Sequence, residues 1–386
     1  MEFDLGWILF GLPVVFALGW FASRLDLRQL RIENRQAPKA YFKGLNHLLN
    51  EQQDQAIDAF IEAVQKDPDT SELHFALGNL FRRRGEYERA VRVHEHLLSR
   101  ADLSQADRDR AQHALALDFL KAGLLDRAED ALRKLEGTAF EEQAGLTLLS
   151  LHERARDWPQ AGALARRLQQ RGAGDFTLRL SHYQCEQASE ALNKKSDRTA
   201  AQQYLRLAID QAPHAARPRI ELAGLLAREG DAADALDQLA SLEQHAPQAI
   251  ALVASELVRI GRACGQATRG RDLLQRSYAS APSTDGAAAI VQADVTAGVP
   301  QAQARSGYLR HMAQEPSLIA AARWLSHEGF AQQDAHALVQ RSVDHAARPL
   351  ARYRCAACGF EAQGYFWQCP GCQAWESFPP RRIEEL

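Results

Sequence analysis

Alternating runs of β-branched residues are missing from the middle of this 386-residue chain, and that absence removes sheet-based folds first. An excess of positive charge is missing as well. Lys and Arg number 46 against 49 Asp and Glu, a net charge of −3 with a sequence pI near 6.5. Phosphate backbones are held by a positive stripe, so the charge argues against nucleic acid as the main partner. The phosphate-cradling G-x-x-x-x-G-K-[ST] loop and the G-x-S-x-G nucleophile elbow do not occur. His-Glu pairs stand at His94, His152 and His327, but none is followed by the second histidine, four residues after the first, that a zincin helix requires. No catalytic residue is assigned, and the chain reads as a non-enzyme.

What remains is rich in alanine, leucine, glutamine and arginine, a composition that favours helix throughout the middle. A repeat organises it. Pro213, Pro247, Pro282 and Pro316 are 34, 35 and 34 residues apart, the period of the tetratricopeptide repeat. The clearest copy carries Gly44, Ala56, Phe60, Ala63 and Pro68; the next carries Gly78, Phe81, Gly85, Tyr87 and Ala90. Weaker copies centre on Ala128, Ala161, Ala201, Ala235, Gly270 and Ala304, and irregular intervals around 101–110 and 193–198 predict longer helices or turns there. Each unit is a helical hairpin whose apolar faces only its neighbours can cover, so stacking predicts an all-α superhelix with a concave groove. Asn79, Arg82 and Arg83 are candidate groove contacts. His182 joins them by residue type, although its spacing of three from Cys185 also suits packed core, and Cys264 is expected to be buried.

The two ends differ from the middle. Residues 5–23, LGWILFGLPVVFALGWFAS, carry no charge and at about 1.5 Å rise per residue match a hydrocarbon core of roughly 30 Å, predicting one transmembrane helix. Glu2 and Asp4 precede the span and no Lys or Arg does, unlike a cleaved signal peptide. Arg24, Arg28, Arg31 and Arg35 flank it on the far side, so the positive-inside rule places the bulk of the chain in the cytoplasm. At the other end Cys355, Cys358, Cys369 and Cys372 form two C-x-x-C knuckles with ten residues between them. Two such turns complete a tetrahedron for one metal ion, iron or zinc, and four thiolates leave no open position for chemistry. Gly359 and Gly371 are expected to supply the unusual backbone angles of the knuckles, inside an apolar shell of Tyr353, Phe360, Tyr365, Trp367 and Trp375. A reducing cytoplasm favours metal over disulfides.

An apolar span followed at once by repeats, the segments GNLFRRRGEYERAVRVHEHLL and AGLLDRAEDAL, and the end YRCAACGFEAQGYFWQCPGCQAW together resemble the lipopolysaccharide assembly protein B family of Gram-negative bacteria. The resemblance covers the whole chain and implies a rubredoxin-like domain packed on the repeats. It also implies an inner-membrane regulator of lipopolysaccharide synthesis that works with the membrane-anchored AAA+ protease FtsH. The implied client is the UDP-acyl-N-acetylglucosamine deacetylase of the lipid A pathway, and an inner-membrane signalling protein is the implied restraint. The expected organisation is an anchor at 1–23, a basic juxtamembrane segment at 24–38, about eight or nine hairpins over 39–346, and a metal-binding domain with its tail at 347–386. Three other readings compete with a protease adaptor: a scaffold that gathers lipopolysaccharide enzymes without touching proteolysis, an electron-transfer centre if the metal is iron, and RNA binding, which the charge disfavours.

Overall fold

The computed structural model describes residues 42–67, 70–326, 328 and 333–386, with positions 16, 17 and 20 besides. Most of the expected span at 5–23 and all four flanking arginines, Arg24, Arg28, Arg31 and Arg35, lie outside the described residues. Among the described residues no helix is long and apolar enough to cross a membrane. The chain divides into two compact units, Met1–Arg156 and Asp157–Leu386.

The first unit is a row of antiparallel helices: α1 at 42–49, α2 Gln53–Lys66, α3 Ser71–Arg84, α4 Tyr87–Ser99, α5 Gln105–Lys121, α6 Leu125–Arg133 and α7 Glu141–Ala155. The second begins with α8 Trp158–Gln170, α9 Thr177–Lys195, α10 Arg198–Gln211, α11 Ala216–Glu229, α12 Ala232–Ala240 and the short α13 Leu242–His245. A 3-10 turn at Pro247–Val253 leads into α14 Ala254–Ala263, α15 Ala267–Ser280, α16 Thr284–Thr296, α17 Gln301–Ala304, α18 Ser306–Gln314, α19 Leu318–Leu325 and α20 Gln333–Leu350. Among the described residues, strands are confined to the C-terminal ribbon, where β1 Tyr353–Arg354 pairs antiparallel with β2 Glu361–Ala362.

Small residues set the helix crossings. Ala56, Ala90, Ala128, Ala161, Ala201 and Ala235 are all fully buried, and Ala304 nearly so. The intervals between successive members are 34, 38, 33, 40, 34 and 69, the last close to two periods with Gly270 between its ends. The extra residues lengthen α5 to 17 and α9 to 19, as the irregular spacing predicted. At Gly270 backbone approaches backbone: a Cβ there would stand 2.9 Å from the Leu257 carbonyl oxygen on α14, which leaves no room even for alanine. Gly85 (φ 85°) and Gly230 (φ 98°) end α3 and α11 in the left-handed region that glycine enters without strain. Arg156 (φ 57°) and Ser196 (φ 53°) end α7 and α9 the same way with side chains present, a local cost of about 1–2 kcal/mol each.

In the first unit the crossing of α3 and α4 is tied to a buried polar group. Gly78 lets the His94 imidazole lie against the α3 backbone; Nδ1 of His94 bonds the Asp118 carboxylate, whose other oxygen accepts from Arg82 at 2.8 Å. A Cβ on Gly78 would sit 2.5 Å from His94 Cε1, and the ring is pinned from the far side. Gly78→Ala is therefore expected to lose about 1–3 kcal/mol through overpacking. Gly224, inside α11 with nothing within 4 Å of an added Cβ, is the matched opposite: Gly224→Ala should gain about 0.5–1 kcal/mol from the unfolded state. Urea denaturation followed by circular dichroism reads both, and a stabilised Gly78→Ala protein would contradict the packing argument.

Candidate metal centre and its seat on the repeats

The ribbon brings Cys355, Cys358, Cys369 and Cys372 together so that all four sulfurs lie within 4.8 Å of one another. Cys355 Sγ stands 3.8 Å from Cys372 Sγ, and Cys358 Sγ 3.7 Å from Cys369 Sγ. A tetrahedron with metal–sulfur bonds of about 2.3 Å has edges of about 3.8 Å, so the cluster fits one zinc or iron ion and is far too open for disulfides. All six cysteines are free thiols. Cys355 and Cys369 face the interior, while Cys358 and Cys372 face solvent. For Cys355, desolvation alone would raise the pKa, but the hydrogen bond between its sulfur and the Ser377 oxygen at 3.2 Å and the bonds from the backbone N–H groups of Cys358 and Ala357 outweigh it and bring the thiol down to about 6. That end of the cluster is thus prepared to ligate as thiolate near neutral pH.

The two knuckles are built alike. Cys355 N–H donates to Phe360 O at 2.9 Å and Gly359 N–H returns to Cys355 O at 2.9 Å; Cys369 N–H donates to Ala374 O at 2.9 Å and Gln373 N–H returns to Cys369 O at 2.8 Å. The residue four beyond the first cysteine of each knuckle takes positive φ, Gly359 at 78° and Gln373 at 63°. Gly371, expected from its place inside the second knuckle to take that role, does not have positive φ; a Cβ there would meet Phe360 at 3.5 Å and Cys358 Sγ at 3.6 Å, both ordinary contacts.

Trp375, just past the second knuckle, plugs the ribbon into the second unit. Its indole stacks on the His182 imidazole of α9 at 4.7 Å and 16°, and meets Trp158 of α8 and Tyr183 of α9 edge-on at 6.3 and 6.1 Å. His182 is fully buried, with Nε2 3.2 Å from Glu376 Oε1. Burial lowers its pKa more than Glu376 raises it, so the imidazole is neutral under the indole. Trp367 joins the core formed by α9 to α16, and Leu252 of the 3-10 turn packs against the ribbon's own interior of Tyr353, Cys355, Cys369 and Phe378.

Residues 353–380 match the rubredoxin metal binding domain family. Lipopolysaccharide assembly protein B of Escherichia coli K12 is 30% identical over 380 residues, covering 96% of this chain and 97% of that protein. The chain belongs to the lipopolysaccharide assembly protein B family. The family protein of Haemophilus influenzae is 26% identical over 391 residues, covering 97% of this chain and 98% of its own. Among solved structures, a tetratricopeptide repeat protein of Parabacteroides merdae superposes with a TM-score of 0.35 at 13% identity, covering 67% of this chain and 99% of that one.

In this member of the lipopolysaccharide assembly protein B family the four cysteines converge, whereas the candidate groove residues have separate fates. Arg83 is exposed, but Arg82 is engaged with Asp118 and with the Ala114 carbonyl at 3.1 Å, and it also bonds the half-buried Asn79. His182 is no groove contact: it is sealed beneath Trp375, because the ribbon occupies the face of α9 from which it projects. Cys185, one turn further along, is fully buried as the helical spacing suggested, while Cys264 is half-buried and not enclosed. Sequence reasoning missed a cavity of about 520 Å³ in the second unit, lined by Asn193, Ile220, Gly224, Leu252, Glu256 and Arg259 among others. The signal was present as small residues on successive first helices, Ala188, Ala223 and Gly224, which leave room where larger side chains would fill it.

The paired knuckles make a discriminating test. Gly359→Ala forces a side chain into φ 78° and should cost the ribbon about 1–2 kcal/mol, whereas Gln373→Gly removes a comparable strain and should be neutral or stabilising. Rates of metal release to a chelator compare the two variants with wild type; equal rates in all three would mean that these turns do not limit the site.

Proposed function

We propose that this chain is a non-catalytic adaptor at the bacterial inner membrane that regulates lipopolysaccharide biosynthesis by modulating degradation of the UDP-acyl-N-acetylglucosamine deacetylase by FtsH. The observation that carries the reading is the union of a closed four-cysteine site with a stack of helical hairpins through Trp375 and His182. Such a site builds shape and leaves no coordination position for a substrate. Stacked hairpins offer extended surfaces for protein partners, and relatives matching nearly the full chain carry the lipopolysaccharide assembly name. Membrane confinement by residues 5–23, with Arg24, Arg28, Arg31 and Arg35 holding the following chain in the cytoplasm, raises the effective concentration of these surfaces near a membrane protease.

The decisive experiment replaces Cys355 or Cys372 by Ser. Because metal binding free energy is folding free energy in such small domains, on the order of 10 kcal/mol for zinc, the ribbon should lose its metal and its protease resistance. Deacetylase half-life in cells should then change as it does when the whole protein is depleted. A metal-free variant with a protease-resistant end and normal deacetylase turnover would refute the adaptor reading. Unchanged turnover on full depletion would instead favour the scaffold for lipopolysaccharide enzymes.

Location is tested separately. A reporter active only in the cytoplasm, fused after Leu386, should be active, and deletion through Ser23 should release a folded, metal-bearing protein that has lost most function. Activity of a periplasm-only reporter would reverse the topology.

A further inference from the structure

The last eight residues, 379–386, do not trail away from the ribbon. Arg382 donates through Nε to Asp285 of α16 at 2.7 Å and through its terminal nitrogen to Ala351 O at 2.8 Å, and its guanidinium lies 4.1 Å over the Tyr353 ring. Ile383 N–H donates to Arg352 O at 2.8 Å. These bonds deliver two carboxylates to two helix N-termini. Glu385 Oε1 accepts from the Thr284 backbone N–H and, at 2.8 Å, from the Thr284 hydroxyl at the start of α16. Glu384 Oε2 accepts from both Leu318 N–H and Ile319 N–H at 3.0 Å at the start of α19.

Each of these helices already has a local serine cap, and the division of donors between cap and tail is complementary. Ser283 Oγ takes the Gly286 N–H at 3.1 Å and Ser317 Oγ takes the Ala320 N–H at 2.9 Å, in both cases the third donor of the helix. The tail takes first-turn donors that Ser283 and Ser317 leave to others, and an anion at that end also meets the positive pole of the helix dipole. The partners are 101 and 66 residues apart in sequence, so nothing local holds the carboxylates there. What holds them is the ribbon. Phe378, immediately before the tail, is fully buried with Cys355 and Cys369, two of the four metal ligands.

We propose that residues 379–386 are a clamp through which metal occupancy of the ribbon controls the order of the last two repeats, with Glu384 and Glu385 as its two contact points. The inference rests on the four cysteines holding a metal. Loss of the ion dissolves the interior that seats Phe378, the tail detaches, and the first turns of α16 and α19 lose their distant caps while the serine caps keep the helices from unfolding. Linkage requires the reverse effect as well: removing the caps must weaken metal retention by the same factor.

Hydrogen–deuterium exchange of the full chain tests this with wild type, Cys372→Ser and Glu384→Ala/Glu385→Ala, alongside elemental analysis and zinc competition with a chelator. In the metal-free cysteine variant, exchange at Thr284, Leu318 and Ile319 should rise at least tenfold. The double glutamate variant should show the same rise with its metal still bound, and should yield zinc to the chelator at about a tenfold lower concentration. Should the double variant fail to accumulate, Glu385→Ala alone is read at Thr284. Protected amides at these three positions in metal-free protein would overturn the clamp, as would an unchanged chelator competition in the glutamate variant. A wild-type protein that binds neither zinc nor iron would remove the metal reading itself, which elemental analysis distinguishes from failure of the coupling.

Discussion

The interior of the C-terminal ribbon consists of four side chains, Tyr353, Cys355, Cys369 and Phe378, and two of the four are metal ligands. Ordering a residue costs about 1–2 kcal/mol of backbone freedom, while apolar burial returns about 25 cal/mol per Å². A segment with so small an interior cannot fold on burial alone and needs both a metal and a host surface. This shortage explains why so many aromatic residues of the ribbon point outward from its own centre. Trp367 and Trp375, both half-buried, pack against the repeats, and Tyr365 bridges the two interiors by meeting Tyr353, Trp367 and Phe378 edge-on.

The host pays attention to shape at that contact. α8 and α9 present buried Trp158, Tyr183 and His182 as a socket, with the imidazole parallel to the Trp375 indole and the other two rings edge-on to it, and burial lowers the pKa of that imidazole. Offset and edge-on aromatic contacts contribute about 0.5–1.5 kcal/mol each beyond the area they bury, so this socket fixes orientation as well as affinity. A charged imidazole would be costly there, and Glu376, itself part of the ribbon, is the only acidic group within ion-pair distance of it among the described contacts.

Much of this was legible in the sequence, and what was not has a common cause. The repeat period, the lengthened helices α5 and α9 and the four converging cysteines all follow from local spacing, and local spacing is what a sequence displays directly. Gly371 misled because residue type was read without the turn: the strained position of the second knuckle lies two residues later, at Gln373, where the first knuckle has Gly359. His182 was readable as core by its helical relation to Cys185, but its partner Trp375 lies nearly two hundred positions away. Glu384 and Glu385 give no signal in sequence, since a carboxylate that caps a helix 66 or 101 residues distant leaves no mark in local pattern.

Leu252 links the ribbon interior to a cavity in the repeats. This residue of the 3-10 turn packs against the ribbon interior on one side and lines the 520 Å³ cavity of the second unit on the other, beside Ile220, Glu256 and Arg259. Interiors are close-packed, so a side chain shared by two sites cannot relax toward one without changing the other. Removing the ribbon would free that side of Leu252 and uncover His182 and Tyr183 on α9, the helix that also supplies Ala188, Ser189 and Asn193 to the cavity wall. The cavity and the ribbon interior therefore share the Leu252 side chain, and the shape of the first is conditional on the second.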